Sequence, residues 1–415
     1  MPQTLSPKRE LWLLITLAGI QFTNILDFMI MMPLGPQFTG LFGISDAEFA
    51  TLVSAYTLAA AASGLLASTY IDRFERKRLL LVLYALFALA TMACGLVDSY
   101  AGLMAARIAA GVFGGVLSSL SHTIVGDVVP FERRGRAMGI VMTSFSVATV
   151  VGVPTGLFLA AQLGWHACFL AIALLCALFG TGAALTMPLL KGHLEQADRP
   201  ALWRGIGEVL GDSNHHKAFA FSALLMFAGF TVIPFITLYL QGNVGWRADQ
   251  VPTIYLFGGM ATLLSARWIG RRTDRAGKVR MFRIAAVLVV VPLLATTLTA
   301  GLPMWAVLLV STTFFTLMGA RMIPGMAILT SAANPRLRGT FMALNSAVQS
   351  IAMGSAAFVG GHIISRDANG MLQHYWLAAV LGACASLATV WLAGTLKLHQ
   401  QPPPAPETGG APDIP

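Results

Sequence analysis

The sequence has little charge: only 11% of its 415 residues are Asp, Glu, Lys or Arg, whereas a soluble globular protein carries roughly 25%. Cysteine is also scarce, and its four residues have neither the spacing of a zinc site nor that of a redox pair. No phosphate-binding loop, metal-ligand cluster or pairing of nucleophile and base is recognisable. These absences argue against a soluble protein, an ATP-driven pump and an enzyme, and we expect no metal and no bound cofactor.

Apolar runs of about 20 residues recur along the chain, and each is long enough to cross a bilayer as an α-helix. Helices are the expected spanning form because backbone groups in lipid must be hydrogen-bonded internally. The predicted spans lie near 11–33, 46–71, 78–97, 101–129, 134–162, 165–188, 215–240, 250–270, 279–299, 304–330, 336–364 and 372–396.

The widest polar gap separates these twelve spans into six and six. The sequence therefore predicts an all-α membrane protein of two six-helix bundles, 1–188 and 215–396, joined by a cytoplasmic central linker at 189–214. The Pro-rich tail, 397–415, is predicted to be disordered. The first apolar run is interpreted as a retained helix rather than a signal peptide, since it shows no small-residue cleavage site.

Positive charge is distributed unevenly between the predicted loops. Of the 27 Lys and Arg residues, 23 fall on the side that carries both termini. The other side has only Arg247 and Arg366, while Arg107 and Arg321 lie inside spans. Cytoplasmic loops carry such an excess, so both termini are predicted to be cytoplasmic. The net charge of +9 then reflects topology and contact with anionic lipid headgroups, and we expect no nucleic-acid partner.

The two halves also share landmarks at one period. Asp72 and Asp274 are 202 residues apart, and the Arg-Gly glycines Gly135 and Gly339 are 204 apart. Two markers at nearly the same offset indicate a duplicated unit. Transporters are commonly built from such repeats, with the substrate site between them near the membrane midplane.

The loops that contain the two aspartates, "IDRFERKR" at 71–78 and "GRRTDRAGKVR" at 270–280, resemble the loop motif of the major facilitator superfamily. The resemblance implies a twelve-helix transporter and a gate that closes the cytoplasmic side. In that gate, the resemblance places the aspartate at the N-terminus of a helix from the opposite half. A carboxylate is favoured there because helix N-termini attract anions. By resemblance, the gate residues are Asp72, Arg73, Arg76, Asp127, Asp274, Arg275, Gly277 and Lys278.

Only one carboxylate, Asp27, lies well inside a span. Asp27 and Arg107 each lie six residues from the outer end of a span, about 9 Å deep at 1.5 Å per residue, so they could meet. A charge in lipid normally marks function or a buried pair. Two interpretations stay open: a permanent structural ion pair, or a carboxylate that exchanges a proton for Arg107 or a cationic substrate. "RIAAGVFGG" at 107–115 resembles the family's proton-coupling motif, which favours the second.

The fifth span contains Gly152, Pro154 and Gly156, which resemble the family's antiporter motif. Proline removes a backbone donor and glycines allow close approach, so we predict a bendable helix there. The alternative is that these are ordinary glycines and proline of a membrane helix. The motif is most similar to that of the bacterial drug, sugar and nucleobase efflux branch, the drug–proton antiporters.

A substrate cavity is predicted between the halves, lined by aromatic, Met and amide side chains that adapt to varied ligands. The same residues also make ordinary cores. No role is assigned to Arg321 or His122. The candidate cavity residues are Asn24, Phe28, Tyr56, Met142, Phe145, Phe230, Tyr239, Asn345 and Gln349.

Together these features predict a monomeric transporter of the bacterial inner membrane that exports small amphipathic or drug-like molecules in exchange for protons. The proton gradient would supply its energy. The alternatives are an exporter of a sugar or nucleobase-like metabolite, an uncoupled facilitator and, from another class, a membrane sensor. A sensor is disfavoured because the central linker and tail are too short and polar to form a signalling domain.

Overall fold

The computed structural model describes residues 7–71, 74–129, 134–188, 190, 202–334 and 337–399. The helices in these ranges are α1 Pro7–Ile30, α2 Gly35–Phe42, α3 Asp46–Tyr70, α4 Arg76–Cys94, α5 Tyr100–Val128, α6 Arg134–Val147, α7 Val153–Leu163, α8 Trp165–Thr186, α9 Leu202–Gly211, α10 Ser213–Phe230, α11 Ile236–Gly242, α12 Pro252–Ala276, α13 Lys278–Leu288, α14 Val290–Ala295, α15 Met304–Ala332, α16 Arg338–Ile363 and α17 Tyr375–Thr395. A π-helical turn, Ala148–Gly152, joins α6 to α7, and 3₁₀ turns lie at Ile233–Phe235 and Thr296–Leu298. The strands β1 Ser365–Arg366 and β2 Leu372–Gln373 pair antiparallel.

The twelve predicted spans are confirmed. They correspond to α1, α3, α4, α5, α6–α7, α8, α10–α11, α12, α13–α14, α15, α16 and α17. Eleven helical segments of the described chain are apolar and long enough to cross a membrane. The span α12 falls outside that set because its last turns hold four arginines and Asp274.

Several short elements lie outside the predicted spans. The helix α2 and the β1–β2 hairpin follow the first and eleventh spans, and α9 lies within the central linker. Val209 of α9 is buried, and its carbonyl lies 3.1 Å from Nδ1 of His215. Nε2 of the same ring accepts from the backbone N–H of Asn334. The end of the linker is therefore attached to the second half.

Since the chain crosses twelve times, the start of α1 and the end of α17 lie on one face, here called the terminus face. The opposite face, called the far face, carries α2 and the hairpin. The halves contact each other mainly through α3 with α16, and through α12 with the π-helical turn and α7. Near the far face α3 and α16 touch closely, since a Cβ on Gly361 would clash with Ala50. The central cavity lies between the same two helices, nearer the terminus face.

Candidate substrate cavity and buried ion pair

Asp27 of α1 and Arg107 of α5 form a buried ion pair within the first half. Nη1 of Arg107 donates to Oδ2 of Asp27 at 2.8 Å, and both residues are 0% exposed. Thr91 of α4 donates to the other carboxylate oxygen at 3.2 Å. The sequence predicted that Asp27 and Arg107 lie at one depth and could meet, and in the structure they do. The side chains of Asp27, Thr91 and Arg107 come from α1, α4 and α5, and the carboxylate is sealed from solvent.

Aromatic rings surround the guanidinium of Arg107. Its central carbon lies 4.4 Å from the ring centroid of Tyr56 and 5.9 Å from that of Phe169. Rings attract cations through their negative faces, most strongly where water is excluded. Nε of Arg107 has no hydrogen-bond partner in the described chain. Asp27 and the rings therefore hold a cation whose hydrogen bonds are incomplete.

The glycines after Arg107 bring α5 against α3. A Cβ on Gly111 would lie 2.3 Å from the carbonyl oxygen of Tyr56, and one on Gly115 2.3 Å from that of Ala60. A Cβ on Gly114 would collide with the hydroxyl of Tyr56 and the amide of Asn24. Close packing thus explains Gly111 and Gly115. Gly114 in addition leaves room for polar side chains at the cavity wall.

A cavity of about 220 Å³ lies between the halves. None of its lining residues is charged. Two amides and six hydroxyls provide its polar surface, and the remainder is small or apolar. The lining residues are Gln21, Asn24, Ile25, Phe28, Tyr56, Thr57, Ala60, Gly64, Gly114, Gly115, Ser118, Ser119, Ala343, Ser346, Ala347, Ser350 and Met353.

Three residues predicted for the cavity line it: Asn24, Phe28 and Tyr56. The hydroxyl of Tyr56 donates to Oδ1 of Asn24 at 2.8 Å. Phe230 does not line the cavity, but its ring stacks on that of Phe28 at 5.9 Å. The side chain of Met142, like that of His122, lies outside the described part of the structure.

The other predicted cavity residues lie elsewhere. Tyr239 packs against Tyr375 near the far face, and Phe145 is exposed. Gln349 donates to Ser222 at 3.0 Å inside the second half, and Asn345 is buried. None of these four lines the cavity.

Sequence reasoning missed other polar residues that line the cavity. Gln21 donates to Ser118 at 3.3 Å, and its Oε1 accepts no hydrogen bond from the described chain. Ser346 and Ser350 face them from α16. The spacing of Ser346, Ala347 and Ser350 at i, i+1 and i+4 puts small residues on one helix face, a signal that was available but weak.

The predicted gate is only partly visible. Asp72, Arg73 and the side chain of Asp127 lie outside the described residues. Arg76 is buried and donates to the carbonyl of Ile71 at 2.8 Å. Glu75 caps α4 by accepting from the backbone N–H groups of Lys77 and Arg78.

In the second half the corresponding loop is exposed. Asp274 and Arg275 face outward, and among the described residues no hydrogen bond or ion pair joins Asp274 to a partner. Gly277 has φ +85°, which favours glycine, at the turn between α12 and α13. Lys278 donates to Ser331. Asp274 is therefore not engaged with the described part of the first half in this conformation.

The predicted hinge coincides with an irregularity in the helix. The π-helical turn ends at Gly152, and Pro154, the second residue of α7, has no N–H to donate. A Cβ on Gly152 would meet Leu26 at 2.9 Å, and one on Gly156 would meet Ile30 at 2.6 Å. The span thus packs tightly on α1 where its hydrogen-bond ladder is interrupted. Such turns are frequent at functional sites.

Arg321 is a second buried arginine, in α15. It donates to the carbonyl of Leu225 at 2.9 Å and to Ser386 at 3.4 Å. Among the described residues it has no carboxylate partner. The two halves therefore differ: the first holds a charge pair and the second a lone guanidinium.

On the far face one ion pair bridges the halves. Nε and Nη2 of Arg366, in β1, donate to the two carboxylate oxygens of Asp46 at 2.9 and 2.7 Å. Asp46 begins α3 and is buried, while Arg366 is half-buried. Phe49 and Phe235 also meet there, with ring centroids 6.5 Å apart. The far face is thus closed, and we call the Arg366–Asp46 pair the latch.

Known protein families and structures agree with this architecture. A sequence profile of the Major Facilitator Superfamily matches residues 17–357 and 218–414. The chain belongs to this superfamily. As a member it is a multi-pass membrane transporter and not an enzyme, as the sequence predicted.

Individual relatives share only a modest fraction of their residues with this chain. The uncharacterized MFS-type transporter YtbD of Bacillus subtilis is 26% identical over 347 residues, 82% of this chain and 84% of that protein. The efflux pump dotC of Dothistroma septosporum is 32% identical over 158 residues, only 37% of this chain and 27% of the pump. The crystal structure of a D-xylose–proton symporter aligns with a TM-score of 0.76 at 16% identity, covering 92% of this chain and 97% of that chain. At that identity the likeness shows the fold alone.

The latch makes a first prediction for this transporter. Arg366→Gln removes a bidentate pair between the halves, and hydrogen bonds to charged groups contribute about 1.5–3 kcal/mol. Discounted for the partial exposure of Arg366 to about 1 kcal/mol, the loss should raise the far-face-open population about fivefold. An impermeant thiol reagent added from the far face should then modify a cysteine at Ser350 about five times faster.

Arg247→Gln is the matched control, since Arg247 pairs with Asp249 in the same half. Arg247→Gln should leave the modification rate unchanged. The double exchange Asp46→Arg with Arg366→Asp rebuilds the pair and should return the rate to that of the parent protein. Equal rates in Arg366→Gln and the parent protein would rule out the latch.

Proposed function

We propose that this transporter exports a small, uncharged, amphipathic solute in exchange for protons, by alternating access to the central cavity. The observation that carries the proposal is the sealed Asp27–Arg107 pair. It lies on the same helix turns as the cavity residues Asn24 and Phe28. The cavity would receive the solute, and the carboxylate would receive the proton.

The ion pair is suited to proton coupling because its two protonation states make different contacts. With Asp27 ionised, the guanidinium of Arg107 is held at 2.8 Å. A proton on the carboxylate removes the opposite charge and leaves Arg107 among aromatic rings with an unpaired Nε. A structural ion pair would explain the burial. It would not explain why the ring that contacts Arg107, that of Tyr56, is also part of the cavity wall.

The lining of the cavity supports an uncharged solute. A cation bound there would lose its hydration and find no carboxylate among the lining residues, which is costly. The volume of about 220 Å³ is below the roughly 300 Å³ at which pockets for drug-sized ligands begin. A sugar-like or nucleobase-like metabolite fits this chemistry better than a lipophilic cation.

The proposed direction and membrane are supported by the charge distribution and by the family. The terminus face carries most of the Lys and Arg residues, so we assign it to the cytoplasm of a bacterial inner membrane. The far face is latched, so the cavity in this conformation would load from the cytoplasm. The motif of the fifth span and the partial match to an efflux pump support export.

Flux into liposomes tests the proposal. An imposed pH gradient should drive uptake of isopropyl thiogalactoside or adenine, the uncharged probes, and leave tetraphenylphosphonium at the background of empty liposomes. Equal flux with and without the gradient would indicate a facilitator. Gradient-driven flux of tetraphenylphosphonium alone would replace the uncharged solute with a cation, and no flux of any probe would favour a sensor.

A further inference from the structure

Five side chains form a continuous column that begins in the second half and ends at the buried carboxylate. Phe230 of α10 stacks on Phe28 of α1 at 5.9 Å, and Phe28 stacks on Tyr56 of α3 at 5.5 Å. The Tyr56 ring also receives the guanidinium of Arg107 at 4.4 Å, and Arg107 in turn donates to Asp27 at 2.8 Å. The column thus crosses the boundary between the halves.

The middle of the column has little freedom to move. Phe28 stacks with two rings, those of Phe230 and Tyr56, and Tyr56 contacts both a ring and the Arg107 cation. The hydroxyl of Tyr56 is fixed to Asn24, whose amide donates to the carbonyl of Gly114 at 3.0 Å. Neither ring can shift without displacing a neighbour.

We infer that Tyr56 is the positioning residue that transmits protonation of Asp27 to the cavity and to the opposite half. The inference rests on the proposed function. A proton from water binds Oδ2 of Asp27, and the hydrogen bond from Arg107 to that oxygen is lost. The guanidinium keeps its charge and moves relative to the Tyr56 ring. Phe28 follows, and its contact with Phe230 between the halves changes.

Two members of the column, Phe28 and Tyr56, also line the cavity. A displacement of the column therefore changes the cavity wall and the contact between the halves in the same step. A structural core of aromatic residues would not require the column, the cavity wall and the contact between the halves to change together.

Other titratable groups face the pair from neighbouring helices. They are Tyr56 on α3, Cys94 on α4 and Cys176 on α8, together with Arg107 on α5. Phenols and thiols ordinarily titrate near pH 10 and about 8.5, above the range pH 5–8. Asp27 is the only carboxylate in the set, and the variant Asp27→Asn decides whether a response within that range belongs to it.

The test measures the spacing of the halves as a function of pH alone. Spin labels replace Leu41 of α2 and Leu302 before α15, which are 59% and 43% exposed on the far face of opposite halves. Cys384, the exposed native thiol, is changed to Ser. Electron–electron double resonance then gives the fraction of far-face-open protein between pH 5 and pH 8.

We expect that fraction to change at least fivefold in the parent protein and not to change in Asp27→Asn. Tyr56→Leu should reduce the change to less than twofold, whereas Tyr56→Phe, which keeps the ring, should preserve it. Phe28→Leu breaks the column one ring further on and should act like Tyr56→Leu. Tyr255→Leu is the matched control, because that buried tyrosine also packs against a phenylalanine, Phe315, at 5.6 Å between ring centroids.

The outcomes separate the inference from the proposed function. A full pH response in both Tyr56→Leu and Phe28→Leu, with none in Asp27→Asn, would overturn the role of the column and leave Asp27 as the proton site. A full response in Asp27→Asn, or none in the parent protein, would overturn both. Loss of the response in Tyr255→Leu would mean that any core substitution abolishes it, which also overturns the inference.

Discussion

Arg107→Leu is expected to destabilise the protein by about 3–5 kcal/mol, the range found when one partner of a buried ion pair is removed. The substitution leaves the carboxylate of Asp27 fully buried with only Thr91 to donate to it. Thermal or chemical unfolding of the purified transporter in detergent measures the effect. A large fall in the unfolding temperature is the expected sign.

The double variant Asp27→Asn with Arg107→Leu should recover most of that loss, because no buried charge remains unpaired. Arg321→Leu gives the control. Arg321 has no carboxylate partner in the described chain, so adding Asp27→Asn should not rescue it. If Arg107→Leu were as stable as the parent protein, the pair would not be the sealed ion pair that the structure shows.

Asp27→Asn alone should abolish transport driven by a pH gradient, with a loss of about 100-fold or more, while the fold is retained. The amide keeps the shape of the carboxylate and can accept from Arg107, but it cannot bind a proton in the physiological range. Initial rates of isopropyl thiogalactoside uptake into liposomes, with and without an imposed gradient, measure the loss.

Asp98→Asn serves as the comparison, since Asp98 is exposed and pairs only with His166 on the far face. Its gradient-driven rate should stay within twofold of the parent rate. If Asp27→Asn kept its response to the gradient, the carboxylate would be structural and another group would have to carry the proton.

The fold could be predicted from the sequence because the bilayer imposes few solutions. Every backbone group in lipid must be paired, so apolar runs of sufficient length become helices, and all twelve were identified. Even α12, whose end holds four arginines, was found from its apolar beginning. The Asp27–Arg107 contact was predictable for a related reason: isolated charges in a membrane need partners, and their depths could be counted along the helices.

The cavity could be predicted only in part. Hydropathy does not distinguish a helix face that lines a cavity from one that packs against another helix. Phe28 and Tyr56 line the cavity, whereas Tyr239, equally aromatic, packs against Tyr375. Gln21 and Ser346 were missed because hydropathy does not show which uncharged polar residues of a membrane helix face a cavity.

Contacts between the two halves had no sequence signal. Arg366 and Asp46 are 320 residues apart, and each lies in a predicted loop or helix end. The column through Phe230, Phe28 and Tyr56 joins three helices of two halves, and no periodicity within one helix reports it. Short elements such as α2 and α9 were missed because they are shorter than a membrane span.

Proton release on solute binding tests the central claim most directly. Purified transporter in weakly buffered detergent would be titrated with isopropyl thiogalactoside and with adenine, alongside Asp27→Asn. The account predicts release of about one proton per bound probe, absent in the variant. Binding of a probe to both proteins without proton release would contradict it.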